Sequence, residues 1–163
     1  MADANKLLAI YLNDHLAGAT AGIELLKRTL SSNKNTEFGA FCERLVPEIE
    51  ADCRQLQDVM TALGVTAQEW KRKLAWGAEK VARLKLNGQI TGYSDLSRVL
   101  EIEGLCVGVE GKLFLWRALG RIAPGEPRLV TFDFEELADR ARRQRDELET
   151  HRLAAIDKMM SPV

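Results

Sequence analysis

Apolar residues recur along the chain at steps of three and four, the period of one α-helix face. From about Asn5 to Leu30 the stripe is Leu8, Leu12, Leu16, Ala19, Gly22 and Leu26. Ser31, Ser32, Asn33 and Asn35 form a polar joint, and Asn35 or Thr36 can cap the helix that follows. That second helix runs to about Leu63 on Phe38, Phe41, Leu45, Ile49, Leu56 and Val59. Pro47 lies inside it without an N–H to donate, which predicts a kink. Gly64 is a suitable stop. Thr66-Ala-Gln-Glu69 reads as a capping box for a shorter helix to about Leu86, with Trp70, Leu74, Val81 and Leu84 on one side. A third long helix spans about Tyr93 to Leu119, capped by Ser94, and includes Leu96, Leu100, Val107 and Phe114. The stretch Gly120 to Thr131, with Pro124, Gly125 and Pro127, is the longest loop. Asp133 with Glu135 and Glu136 opens a last helix to about Met160, striped by Phe134, Leu137, Ala141, Leu148, Ala155 and Met159. The only strand candidate, Leu129 to Phe132, has no partner.

These elements predict an all-α single domain over residues 1–163: four long helices, with a short fifth in the crossover between the second and third. The first and last joints are short enough for antiparallel neighbours, while the crossover can return the chain to the other end of the bundle. Helices two and three then run parallel. This short–long–short pattern is ferritin-like connectivity.

Composition narrows the class. At 163 residues, 46% hydrophobic and 29% charged, the chain suits one soluble core. Lys plus Arg is 23 and Asp plus Glu is 24, so no overall basic charge points to nucleic acid. Six basic residues with Trp70 and Trp76 mark the crossover, but helix two is acidic enough to answer them within the chain or across a dimer. The most apolar stretch, Leu105 to Leu119, is too short to span a bilayer and is interrupted by Glu110, Lys112 and Arg117. No leader-like segment opens the chain, and Cys42, Cys53 and Cys106 form no C-x-x-C pair. A cytoplasmic protein with reduced thiols is expected.

The segment Pro47 to Gly64 carries Glu48, Glu50 and Asp52, then Leu56, then a closing Leu63-Gly64. It resembles the second helix of small bacterial stress-associated ferritin-like proteins of the YciF type. That resemblance implies a four-helix bundle, often a homodimer, with room for a metal site between the helices. A ferritin-like dimetal centre uses a Glu from each of two helices and Glu-x-x-His from each of the others. This chain has two histidines, and three residues before them stand Leu12 (for His15) and Leu148 (for His151). A divergent set remains: His15, Glu48, Asp52, Glu103, Glu110, Glu147 and His151. Such oxygen and imidazole donors suit iron or manganese. The preferred reading is a buried salt-bridge and hydrogen-bond network, or plain surface charge, without a cofactor, with Arg143, Arg145 and Arg152 at hand to neutralise carboxylates.

Five glycines lie within predicted helices: Gly18 and Gly22 on the first, Gly104, Gly108 and Gly111 on the third. Each costs roughly 0.5–1 kcal/mol relative to Ala. Close helix packing is the expected reason, and a cavity beside Gly104 and Gly108 the alternative. Function follows in three readings. The first is a homo-oligomeric structural or stress-related bundle. The second is a divergent metal-binding oxidoreductase, and the third a ligand- or partner-binding module.

Overall fold

A computed structural model describes residues 2–65 and 93–161. Among these residues the chain forms helices α1 (Ala2–Ser32), α2 (Glu37–Ala62), α3 (Asp95–Ile122) and α4 (Phe134–Met160), and no strand. Two 3₁₀ turns, Ala123–Gly125 and Pro127–Leu129, fill the last joint. The second ends at Leu129, the first residue of the lone strand candidate, and seats it fully in the core. The helix expected from Thr66 to Leu86, with its basic residues and Trp70 and Trp76, lies outside the described residues.

The caps are side-chain hydrogen bonds. Thr36 Oγ1 accepts from the Gly39 amide at 3.0 Å, Ser94 Oγ from Ser97 at 3.1 Å and Asp133 Oδ1 from Glu136 at 2.9 Å. Each stabilises its helix start by about 1 kcal/mol. Gly64, at φ +73°, ends α2 in the left-handed region that glycine tolerates. Pro47 sits inside α2, which continues through it.

Pairings between helices give the directions. The start of α2 meets the end of α4, where Phe41 lies 4.5 Å from the ring of His151. Farther along, Asp52 accepts from Arg140 Nε at 2.8 Å, so the two helices are antiparallel. The end of α1 meets the start of α3, with Arg28 Nε 3.0 Å from Glu101 Oε1. Nearby, Asn33 takes Arg98 Nε on its Oδ1 at 2.8 Å and donates to Tyr93 Oη at 2.7 Å. With α1–α2 and α3–α4 joined by short turns, α2 and α3 run parallel, and residues 66–92 connect opposite ends.

The core is built from Leu12, Leu16 and Leu26 of α1 and Phe41, Leu45, Leu56 and Val59 of α2. From the other side come Ile102, Leu113, Trp116 and Leu119 of α3 with Leu137, Ala141 and Leu148 of α4. Leu96, Leu100, Val107 and Phe114 of α3 are 45, 57, 73 and 54% exposed, and the buried face is Val99, Ile102, Leu105, Val109, Leu113 and Trp116 instead. Apolar residues occupy both faces of α3, so periodicity does not select the one that packs on α1 and α4.

Candidate site at the bundle centre

Asp52 is 2% exposed, the most buried charged side chain among the described residues. Its two oxygens divide between two cations. Oδ2 accepts from Lys112 Nζ of α3, and Oδ1 from Nε and a terminal nitrogen of Arg140 of α4. Lys112 also donates to Gln144 Oε1, and Gln144 Nε2 donates to Glu48 Oε2 at 2.8 Å. Burial pushes the Lys112 amine below its ordinary pKa, and the Asp52 charge and hydrogen bond oppose that shift. The network ties α2, α3 and α4 together, and every member has a partner, the condition under which a buried polar cluster is tolerated.

The other candidate donors go their separate ways. Glu103 lies 3.6 Å from Arg152, Glu110 3.3 Å from Arg145 and Glu147 3.9 Å from Arg44. His151 is packed against the rings of Phe38 and Phe41 at 5.2 and 4.5 Å. His15 meets Tyr11 edge-on at 4.5 Å. Burial lowers the pKa of both imidazoles; Asp14 opposes it at His15, and Glu37 and Glu147 oppose it at His151. The structure thus brings His15 and Asp52 to one cavity wall and sends Glu103, Glu110, Glu147 and His151 to other partners. Among the described residues no three His, Cys, Asp or Glu side chains gather as metal donors.

Of the arginines expected to neutralise carboxylates, Arg145 and Arg152 do so at Glu110 and Glu103, while Arg143 pairs with Glu136. Arg140 and Gln144 went unnoticed in the sequence, and Lys112 was read there only as an interruption of the apolar stretch Leu105 to Leu119. One signal was there for Gln144, which occupies a core position of α4 between Ala141 and Leu148.

Beside this network lies a cavity of about 320 Å³ that opens to solvent past the exposed Gly18, Val107 and Gly108. Its body is apolar, walled by Leu45, Ile49, Leu56, Leu105 and Trp116, with Leu148 closing one side. Tyr11, Asp14 and His15 supply polar groups from α1, and Asp52 and Lys112 from the network. Cys53 also lines it, and burial raises its pKa, so at neutral pH it is a thiol.

The glycines explain the space. Arg28 against Glu101, and Leu25 against Gly104, set the antiparallel register of α1 on α3. That register places Gly22 level with Gly108, and Gly18 level with Gly111. All four line the cavity, and a Cβ built on any of them meets nothing within 4 Å. Close approach therefore does not account for them. Only Gly104 meets its neighbour tightly, at 3.0 Å from Leu25 Cδ2. Trp116 Nε1 is buried without a hydrogen-bond partner.

The arrangement can hold an apolar body of modest size with hydrogen-bonding groups at one edge. Its volume sits at the lower end of the range for small-molecule sites, about 300–1,000 Å³. No family model, no curated protein and no solved structure matches this chain.

Proposed function

We propose that this chain is a ferritin-like helical bundle that binds a small, largely apolar ligand in the glycine-walled cavity between α1, α2 and α3. The observation that carries this reading is the open space at Gly18, Gly22, Gly108 and Gly111. Four helix-interior glycines cost roughly 2–4 kcal/mol together relative to alanine. Gly18 and Gly108 are exposed and Gly22 and Gly111 half-buried, so together they line a groove open to solvent between α1 and α3, and a ligand seated in it supplies the gain that offsets them. The helix directions and the long connection between parallel α2 and α3 support the ferritin-like part. The pairing of Asp52 with Lys112 and Arg140 favours a ligand site over a divergent iron or manganese centre, because a metal would first have to displace both cations.

The test is titration of the native chain with 1-anilinonaphthalene-8-sulfonate, followed by probe fluorescence and by circular dichroism. The expected result is saturable one-site binding, weakened at least tenfold in a Gly22→Leu, Gly108→Leu double variant that keeps its helical spectrum. Absence of saturable binding, or full binding in the filled variant, refutes the ligand reading. Stoichiometric iron or manganese in protein purified without chelator, lost on Glu48→Ala with Glu103→Ala, would instead establish the metal reading.

A further inference from the structure

The polar side chains of the groove gather towards one end. Asp52 of α2 is held by Lys112 of α3, so these two stand at one level, and the α1–α3 register puts Gly18 and Gly111 there too. Tyr11, Asp14 and His15 line the groove on the turns of α1 beyond Gly18. In the other direction the wall is Gly22, Leu26, Leu45, Ile49, Leu105 and Leu148, without a polar side chain. From Lys112 back to Leu105 is seven residues of α3, about 10 Å along the axis. An extended chain advances about 3.5 Å for every three bonds, so that stretch holds a straight chain of about nine bonds.

Charge at the polar end is unbalanced. Lys112 and Arg140 share one buried carboxylate, Asp52. Glu48 is exposed and reaches them only through the neutral Gln144 amide. Asp14 lies at the exposed rim, where water and salt screen it. Two cations on one carboxylate leave a surplus positive charge. An ammonium also has three N–H donors, and among the described residues Lys112 uses two, on Asp52 and Gln144. The surplus charge and the third donor both suit an anionic acceptor, and a cationic ligand would answer neither.

Resting on the ligand reading above, we infer that the groove takes a medium-chain carboxylic acid, its carboxylate at Lys112 and its hydrocarbon chain laid between α1, α2 and α3 towards Leu45 and Leu105. The acid enters past Gly18 and Gly108, where the groove is open. The Tyr11 hydroxyl and the His15 imidazole stand at the carboxylate end and bring further hydrogen-bond donors. The chain passes Gly22 and Gly108, where no neighbouring atom stands within 4 Å of an added Cβ.

Calorimetric titration of the native chain near neutral pH, below micelle concentrations, compares decanoate, 1-decanol and decylammonium, which share one tail and differ in the head. Decanoate is expected to bind one site at least tenfold more tightly than 1-decanol, with decylammonium weakest. Butanoate, with the same head and a short tail, should bind at least a hundredfold more weakly than decanoate, because it buries fewer CH₂ groups. Lys112→Met should bring decanoate down to the affinity of 1-decanol and leave 1-decanol binding unchanged; should that variant not fold, the order of the heads on the native chain decides. Equal binding of acid and alcohol, a preference for decylammonium, butanoate as tight as decanoate, or full decanoate affinity in a folded Lys112→Met overturns the inference and leaves the ligand reading standing. Binding of none of the four ligands overturns both.

Discussion

Replacing the cavity glycines with alanine tests the central geometric claim by the sign of its effect. In a helix interior alanine is favoured over glycine by about 0.5–1 kcal/mol, because the unfolded chain has less freedom to lose. The gain appears in full only where the new methyl meets no resistance. At Gly18, Gly22, Gly108 and Gly111 the added Cβ meets nothing within 4 Å, so each variant should be stabilised by about 0.5–1 kcal/mol. For a chain of 163 residues that corresponds to a rise in Tm of about 1–4 °C per site. Gly39 gives the opposite sign. Its added Cβ would stand 2.1 Å from the Asn33 carbonyl oxygen, a backbone atom that cannot step aside. Gly39→Ala should therefore destabilise by about 3 kcal/mol. Gly104, at 3.0 Å from the end of the Leu25 side chain, should fall between. Urea unfolding followed by circular dichroism measures all six, with the m-value held constant as a check on the unfolded state. Destabilisation at Gly18, Gly22, Gly108 and Gly111 would mean that α1 and α3 touch there, and the cavity would not exist.

Two further outcomes follow from the polar groups. Asp52→Ala leaves Lys112 and Arg140 facing each other without a counter-charge and should cost about 3–5 kcal/mol, whereas Glu147→Ala, removing an exposed pair at 3.9 Å, should change stability by less than about 1 kcal/mol; urea midpoints distinguish them, and equal small losses would refute the buried network. Burial holds the His15 and His151 imidazoles below their usual 6.5, so below that value the unfolded chain binds protons that the folded chain resists. Stability should be full above pH 6.5 and fall as pH drops through the window between the usual and the lowered values. His151→Phe, keeping the packing on Phe38 and Phe41, should remove part of that slope in urea midpoints measured from pH 8 to 5, and an unchanged slope would refute the assignment.

Much of the local architecture was legible in the residues. Thr36, Ser94 and Asp133 cap the helices they were expected to cap, and Gly64 ends α2. These are contacts within a few residues, decided by local hydrogen bonding. The glycines of α1 and α3 could be flagged as unusual, but their purpose could not be read, because a glycine serves close contact and open space equally well. The cluster of Asn33, Tyr93, Arg98 and Glu101, which fastens the end of α1 to the start of α3, left no trace in local pattern. Its members meet only once the bundle is assembled.

The chain by itself determined the number of long helices among the described residues, their caps and ends, and the short joints that make neighbours antiparallel. Each depends on side chains within one or two helical turns. Tertiary structure decided which apolar face of α3 is buried, since both faces satisfy the helical period and only packing on α1 and α4 breaks the tie. It also decided where the charges go. Asp52 is answered by Lys112, sixty residues on, and by Arg140, eighty-eight residues on, separations at which no sequence period operates. The open groove lined by Gly18, Gly22, Gly108 and Gly111 belongs to the same category, because the distance between two helices is a property of neither helix alone.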